Sequence, residues 1–372
     1  MAGIYIHIPF CKQACYYCNF HFSTKKNHKI LIKSIEKEVF LKKNFLNKEK
    51  IESIYFGGGT PSLIKPSSIN KIIEAISENY IIKKKCEITL EANPDDITED
   101  VLKHWKIIGI NRISVGIQSF NDTILKIMNR SHDSAKGIEA LEKIQKYFNN
   151  YSMDLIYGCP KSNINSIKKD LKIIEKIKPP HVSIYNMTIE KKTVFYNLKK
   201  LGKLSFPSTS SVLNQYKTIQ NFMKNKNYIN YEISNFCKNN LISIHNSNYW
   251  KSKKYIGFGP SAHSYDLDNR YWNISNNQDY IDSINNKNMP QNKEILSNTN
   301  KINEYIMTRI RTIWGIDLKQ LKREFKIDLY HIKKKELDFF KKKKHITIKN
   351  NCIYLNEEGK IISDHITGKL IL

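Results

Sequence analysis

The sequence predicts an α/β fold: an open, partial barrel of six strand–helix units, then an α+β extension, then a small winged-helix-like domain. Three observations carry this. Between Gly3 and Met187, short β-branched and aromatic runs alternate with amphipathic helical segments six times, the pattern of a parallel sheet with helices outside. Polar or glycine-rich groups recur at the ends of those runs, and in (β/α) barrels these ends share the face where sites form. After Leu201 the alternation stops, and six units are too few for a closed barrel of eight.

The elements follow in order. Gly3 to Ile8 alternates as a strand and ends at Pro9. Asn27 to Asn47 places Ile30, Leu31, Ile35, Val39 and Phe40 at helical spacing. Ile51 to Phe56 is a strand running into Gly57-Gly58-Gly59-Thr60-Pro61-Ser62, and Pro66 opens a helix with Ile69, Ile72, Ile73 and Ile76 on one face. Cys86 to Leu90 is a strand ending in Glu91-Ala92-Asn93-Pro94, and Thr98 caps a helix to about Ile107. Arg112 to Ile117 is a strand ending in Gln118-Ser119-Phe120, with Asn129-Arg130-Ser131-His132 between the helices after it. Ser152 to Tyr157, carrying Asp154, and His181 to Met187 are the last two strands, with a helix from Asn163 to Ile177 between them. Ser208 to Asn225 reads as a helix, Tyr228 to Ile233 as a strand, Asn235 to Asn277 as loop-rich, and Asn285 to Asn300 as a linker. Helices follow from Asn303, then Ile346 to Ile348 and Cys352 to Leu355 form a hairpin about Asn350-Asn351. The expected domains are 1–200, 201–298 and 299–372.

Composition bounds the function. Hydrophobic residues make up 40% and charged residues 26%, an ordinary globular balance. No apolar stretch is long enough to span a bilayer, and the N-terminus carries no signal-peptide pattern, so the expected location is the cytoplasm. The net charge of +26 favours polyanions in principle. Its lysines are spread along the chain with abundant Asn and Ile, so compositional drift is the preferred account and nucleic acid is not the expected partner. Cys86, Cys159, Cys237 and Cys352 are scattered and read as small buried hydrophobes.

Cys11, Cys15 and Cys18, spaced C-x3-C-x2-C, lie on a loop past the first strand. Three thiolates suit zinc or an iron–sulfur cluster. Zinc needs a fourth ligand, for which His21 is available in sequence. A four-iron cluster held by three cysteines keeps one iron open. The glycine run Gly57–Gly59 exposes backbone N–H groups but lacks the Lys-Ser/Thr ending of a phosphate loop. Glu91, Gln118, Arg130 and Asp154 stand at or just past successive strand ends. His245 lies beside Tyr249 and Trp250, an arrangement compatible with an axial haem ligand, although a lone histidine near aromatics is more often a hydrogen-bonding surface residue.

The ordered set YIHIPFC, C-x3-C-x2-C, FGGGTPS, EANP, NRISVGIQSF, NRSH, DLIYG, YEISNF, HNSNYW and GFGPSAHS resembles the coproporphyrinogen-oxidase-like radical S-adenosylmethionine (SAM) family, and within it a haem-chaperone branch. The resemblance runs from Tyr5 to about Ser264 and implies a partial (β/α)6 radical-SAM barrel. It implies that Cys11, Cys15 and Cys18 hold a [4Fe–4S] cluster. It implies SAM contacts from Tyr5, Tyr17, Gly58, Gly59, Thr60, Glu91, Gln118, Arg130 and Asp154, and makes His245 the candidate haem ligand. The implied function is binding haem and transferring it to acceptor proteins, with cluster and SAM serving structure or regulation. The alternative is oxygen-independent coproporphyrinogen III oxidase, in which a radical made from SAM oxidatively decarboxylates propionate side chains. Against it, the oxidase has a fourth cysteine where this chain has Phe20, and an extension ahead of a cysteine motif that here begins ten residues after Met1. Asn19 and Cys159 depart from the Asp and Leu usual in the chaperone branch. A radical-SAM enzyme acting on nucleic acid is a third reading, resting on charge alone.

Overall fold

The computed structural model describes residues 1–25 and 28–372. Among them, β1 (Ala2–Ile8), β2 (Ile51–Gly58), β3 (Ile82–Ala92), β4 (Arg112–Gln118), β5 (Tyr151–Tyr157) and β6 (His181–Asn186) lie side by side in chain order, all parallel. Helices α1 (His28–Leu41), α2 (Pro66–Asn79), α3 (Glu99–Ile107), α4 (Asp122–Ile127), α5 (Ser134–Tyr147) and α6 (Ile164–Ile177) connect them. The helix expected from Asn27 begins at His28; Asn27 lies outside the described residues.

The two faces of the strands differ in chemistry. Successive side chains point to opposite faces, and Ile4, Ile6, Ile8, Ile54, Phe56, Leu90, Ile113, Val115, Met153, Leu155, Val182 and Ile184 face the helices, fully or nearly fully buried. Each such side chain stabilises the fold by about 1.5–3 kcal/mol on burial. The other face carries Tyr5, Tyr55, Glu91, Arg112, Ser114, Asp154 and Ser183, which line a cavity. Strands packed on both faces would read as continuous apolar runs; the polar inner face marks a lumen.

After α7 (Val194–Lys200) and α8 (Thr209–Asn225), the chain extends the same sheet at both edges. At the β6 edge, β7 (Ile229–Asn230) and β8 (Asn235–Cys237) add antiparallel strands. Helix α9 (Ile244–Trp250) then brings His245, Asn246 and Tyr249 to the lumen. At the other edge β9 (Tyr255–Phe258) pairs parallel to β1, followed by antiparallel β10 (His263–Tyr265), β11 (Asn269–Asn273) and, after α10 (Asn277–Asn285), β12 (Gln291–Ile295). The stretches expected as loop-rich and as linker therefore hold strands. These runs, from three to five residues, are too short to show alternation, and β11 and β12 are largely polar, so their register comes from backbone pairing with neighbours already in place.

A second core lies at the C-terminal end of the chain. It is built by α11 (Asn298–Arg309), β13 (Ile316–Asp317), α12 (Leu318–Phe325), α13 (Leu329–Ile332), α14 (Lys334–Lys342), β14 (Ile346–Lys349), β15 (Cys352–Leu355), α15 (Glu357–Ile361) and α16 (Ser363–Leu370). Strands β14 and β15 form the expected hairpin, with Asn350 and Asn351 both at positive φ, as a two-residue turn of matching twist requires.

Candidate functional site

All thirteen site residues named from the sequence line one cavity of about 610 Å³ in the lumen and at the C-terminal ends of the strands. The cysteine loop forms one rim and is tied down from several directions. Thr60 N–H donates to the Phe10 carbonyl (2.7 Å) and Gly59 N–H to that of Ile8 (2.9 Å). A Cβ on Gly59 would lie 2.8 Å from the Phe10 backbone, so only glycine permits this approach. Its neighbour Gly58 has φ +108°, open to glycine alone without strain. The Asn129 amide donates to the Ala14 carbonyl (2.7 Å) and accepts from Gln13 (2.6 Å), and Tyr16 N–H reaches the Met128 carbonyl (3.1 Å). Lys12 pairs with Asp95 and Asp96, and Ser131 donates to Asp95 (3.1 Å).

The sulfurs are half-buried and hydrogen-bonded. Thr60 Oγ1 donates to Cys11 Sγ (3.4 Å) and Arg130 Nη1 to Cys15 Sγ (3.3 Å). Arg130 Nη2 donates to Asn93 Oδ1 (2.7 Å) and the Gly116 carbonyl (2.8 Å), while its buried Nε has no partner. Burial pushes the Cys18 thiol up to about 11 and raises Cys11 as well, the Thr60 hydrogen bond and Arg130 pulling Cys11 back. His21, weighed above as a fourth ligand, directs Nε2 to Asn277 Oδ1 (2.7 Å). Among the described residues no three of His, Cys, Asp and Glu converge on a single metal ion.

Deeper in the lumen, Glu91 accepts from Tyr55 Oη (2.7 Å) and Gly58 N–H (3.2 Å), and burial pushes its carboxyl up to about 7. Asp154 accepts from Ser114 and Ser152 (3.0 Å each) and is raised by burial. Gln118 stands at φ +66° in a turn held by buried Asp170 of α6, which accepts from Phe120 N–H (2.8 Å) and Ser119 Oγ (3.2 Å). Tyr5 stacks on Tyr55 at 6.2 Å, and Tyr17 packs on Phe195.

His245 differs from its sequence expectation. It is 3% exposed, with Nδ1 engaged by Ser53 Oγ and Nε2 by Tyr249 Oη (2.9 Å each), its ring stacked on Tyr55 at 4.9 Å. Burial, reinforced by Arg112, lowers it to about 3, so it is neutral. An imidazole standing open for an axial bond is not what this conformation presents. Sequence reading also passed over Asn93 and Arg112 as single residues. Both lie inside motifs it quoted, and strand parity puts Arg112 on the same face as Ser114 and Gln118.

A model of the Radical SAM superfamily matches residues 5–174, and one of the HemN C-terminal domain matches residues 296–362. Coproporphyrinogen III oxidase (HemN) from Escherichia coli, a radical SAM enzyme, has the same fold. Its TM-score is 0.85 at 20% identity, over 100% of this chain and 90% of that one. Fold and cysteine motif define a radical-SAM protein, a class whose members carry a [4Fe–4S] cluster and SAM. A heme chaperone HemW from Buchnera aphidicola (subspecies Schizaphis graminum) is 33% identical over 97% of this chain and 98% of its own length. The HemW of Lactococcus lactis is 30% identical over 99% and 97%. The chain belongs to the HemW family. No helix among the described residues is long and apolar enough to cross a membrane.

Proposed function

We propose that this chain binds haem and passes it to acceptor proteins in the cytoplasm, and that Cys11, Cys15 and Cys18 hold a [4Fe–4S] cluster with SAM at the remaining iron. The observation that carries the proposal is the near full-length likeness to two proteins named heme chaperones. The residues present fit the cofactors. Three soft sulfurs with no fourth protein ligand suit a cluster with one open iron. The lining of one cavity by all three cysteines, and the Arg130 bond to Cys15 Sγ, suit a bulky, electron-rich group beside the loop. Bound there, the cluster would supply the electron for reductive chemistry on SAM. Arg130 would pair with the carboxylate end of SAM, Gly58, Gly59 and Thr60 would shape the wall at its amino end, and Glu91 and Asp154 would accept from ribose hydroxyls. Gln118, Tyr5 and Tyr17 close the pocket and exclude water. For haem, His245 becomes a ligand only when Tyr249 releases Nε2.

Haem titration of the anaerobically reconstituted chain tests this, read by optical spectra. One haem per chain is expected. Tyr249→Phe, which frees Nε2, tightens binding several-fold, and His245→Ala shifts the haem spectrum; an unchanged spectrum clears His245. With SAM, reductant and coproporphyrinogen III, no protoporphyrinogen IX is expected. Its formation would move the chain to the oxidase reading.

A further inference from the structure

The lower lumen contains a buried cation with no hydrogen-bonded counterion. Arg112 opens β4, at the end of the barrel away from the cysteine loop, and its side chain lines the cavity while only 2% exposed. Its Nε is buried with no hydrogen-bond partner, and among the described residues it forms no ion pair. The neighbouring carboxylates are engaged elsewhere. Asp154 feels the field of Arg112, but its oxygens accept from Ser114 and Ser152, and those of Glu91 from Tyr55 and Gly58. Glu87 accepts from the N–H groups of Ile244 and His245 at the start of α9. Thr89, opposite Arg112 on β3, has a buried hydroxyl that is also unpartnered. The nearby imidazoles bring no charge, since burial and then the field of Arg112 hold His181 well below its ordinary range and His245 at about 3. An unpaired buried guanidinium is costly to a fold. One kept at the end of a large cavity implies an anion that enters it.

We infer that Arg112 anchors a carboxylate-binding compartment beneath the cofactor rim, taking either a free short-chain carboxylic acid or a propionate arm of a tetrapyrrole. Arg112 is a fork of donors matched to a carboxylate. The tetrapyrrole source rests on the haem reading; the compartment itself does not.

The test is the thermal midpoint of the full, anaerobically reconstituted chain with sodium propionate, with propionamide, and with sodium chloride at equal ionic strength. Propionate at tenfold excess over its dissociation constant raises the midpoint by about 2 °C, while neutral propionamide and chloride do not. Arg112→Met abolishes the response, and Arg112→Lys keeps part of it. Without ligand, Arg112→Met melts no lower than wild type, because it removes an unpaired charge; a purely structural arginine would lower it. Wild type indifferent to propionate, or a methionine variant that responds equally, overturns the inference and leaves water as the filling. Optical titration with haem and with haem dimethyl ester assigns the source. A tenfold loss in Arg112→Met for haem but not for its ester points to the tetrapyrrole arm, and equal losses to the free acid. A wild type that answers propionate yet binds no haem removes the haem reading and keeps the compartment.

Discussion

At the scale of single residues, the lumen is a place where ionisation is withheld. Glu91 illustrates it. Its folded-state carboxyl titrates at about 7 because burial penalises the charged form, against an ordinary 4.5. Its share of stability is complete below pH 4.5 and is lost as pH rises through about 7, because over that interval the unfolded chain ionises and the native chain resists. Glu91→Gln is neutral throughout. We expect the two proteins, without cofactors, to melt alike at about pH 4, below the unfolded value. At pH 8 the variant gains about 3 kcal/mol, since each tenfold difference in proton affinity between folded and unfolded chain is worth about 1.4 kcal/mol. Melting curves at the two pH values check this, and a difference that ignores pH refutes the raised carboxyl. The same variant weakens SAM binding at pH 8, since an amide is the poorer partner for ribose hydroxyls.

At the scale of elements, the site depends on helices that never touch it. Asp170 lies on the buried face of α6, and its carboxylate holds the turn after β4 through Phe120 N–H (2.8 Å) and Ser119 Oγ (3.2 Å). That turn carries Gln118 at positive φ, a conformation a non-glycine residue keeps only when its surroundings impose it. Asp170→Ala leaves a buried N–H without an acceptor, at about 1–3 kcal/mol. It is expected to lower the thermal midpoint and weaken SAM binding, whereas Asp170→Asn retains an acceptor and most of both. Equal behaviour of the two variants would sink the positioning role. Asp170 was invisible as a site residue in the sequence because one acidic residue on an amphipathic helix looks like any other. The cysteine loop, the glycine turn and the strand ends were legible, since spacing and alternation are local. Strands β8 to β12 were not. Gln291–Ile295 is exposed and polar along almost its whole length, so only pairing with β11 makes it a strand.

At the scale of the whole molecule, the described residues form two large hydrophobic cores joined by a polar seam, with a small third cluster of Ile124, Met128, Cys159 and Phe195 packed by Tyr16 and Tyr17 of the cysteine loop. The larger packs the barrel and its helices; the smaller runs from Ile302 to Leu370. Between them lie the exposed pairs Lys224–Glu357 (2.7 Å) and Lys217–Glu358 (3.4 Å), the half-buried pair Arg270–Glu304 (2.6 Å), Lys301–Asp268 (2.5 Å), Lys360 on Asn230, a buried bridge between Glu232 and Thr312 with an Ile313 N–H bond to the Tyr231 carbonyl (3.0 Å), and Lys251 over the Trp314 ring. The exposed pairs contribute about 0–1 kcal/mol each, and among the described residues no hydrophobic cluster spans the seam, which is too little to weld the two cores into one cooperative unit. Calorimetry is therefore expected to resolve two transitions, the smaller carrying roughly a fifth of the unfolding enthalpy in proportion to its share of the chain. The cavity is lined from Tyr5 to Tyr249, wholly within the larger core's part of the chain. Binding of SAM to the reconstituted protein should then raise the larger transition and leave the smaller where it was, because a ligand stabilises only the unit whose native state it binds. A single transition that moves as a whole on adding SAM would mean that the seam transmits binding into the C-terminal core. The Ile313–Tyr231 hydrogen bond and the contact of Lys251 with Trp314 would then be the place to break it.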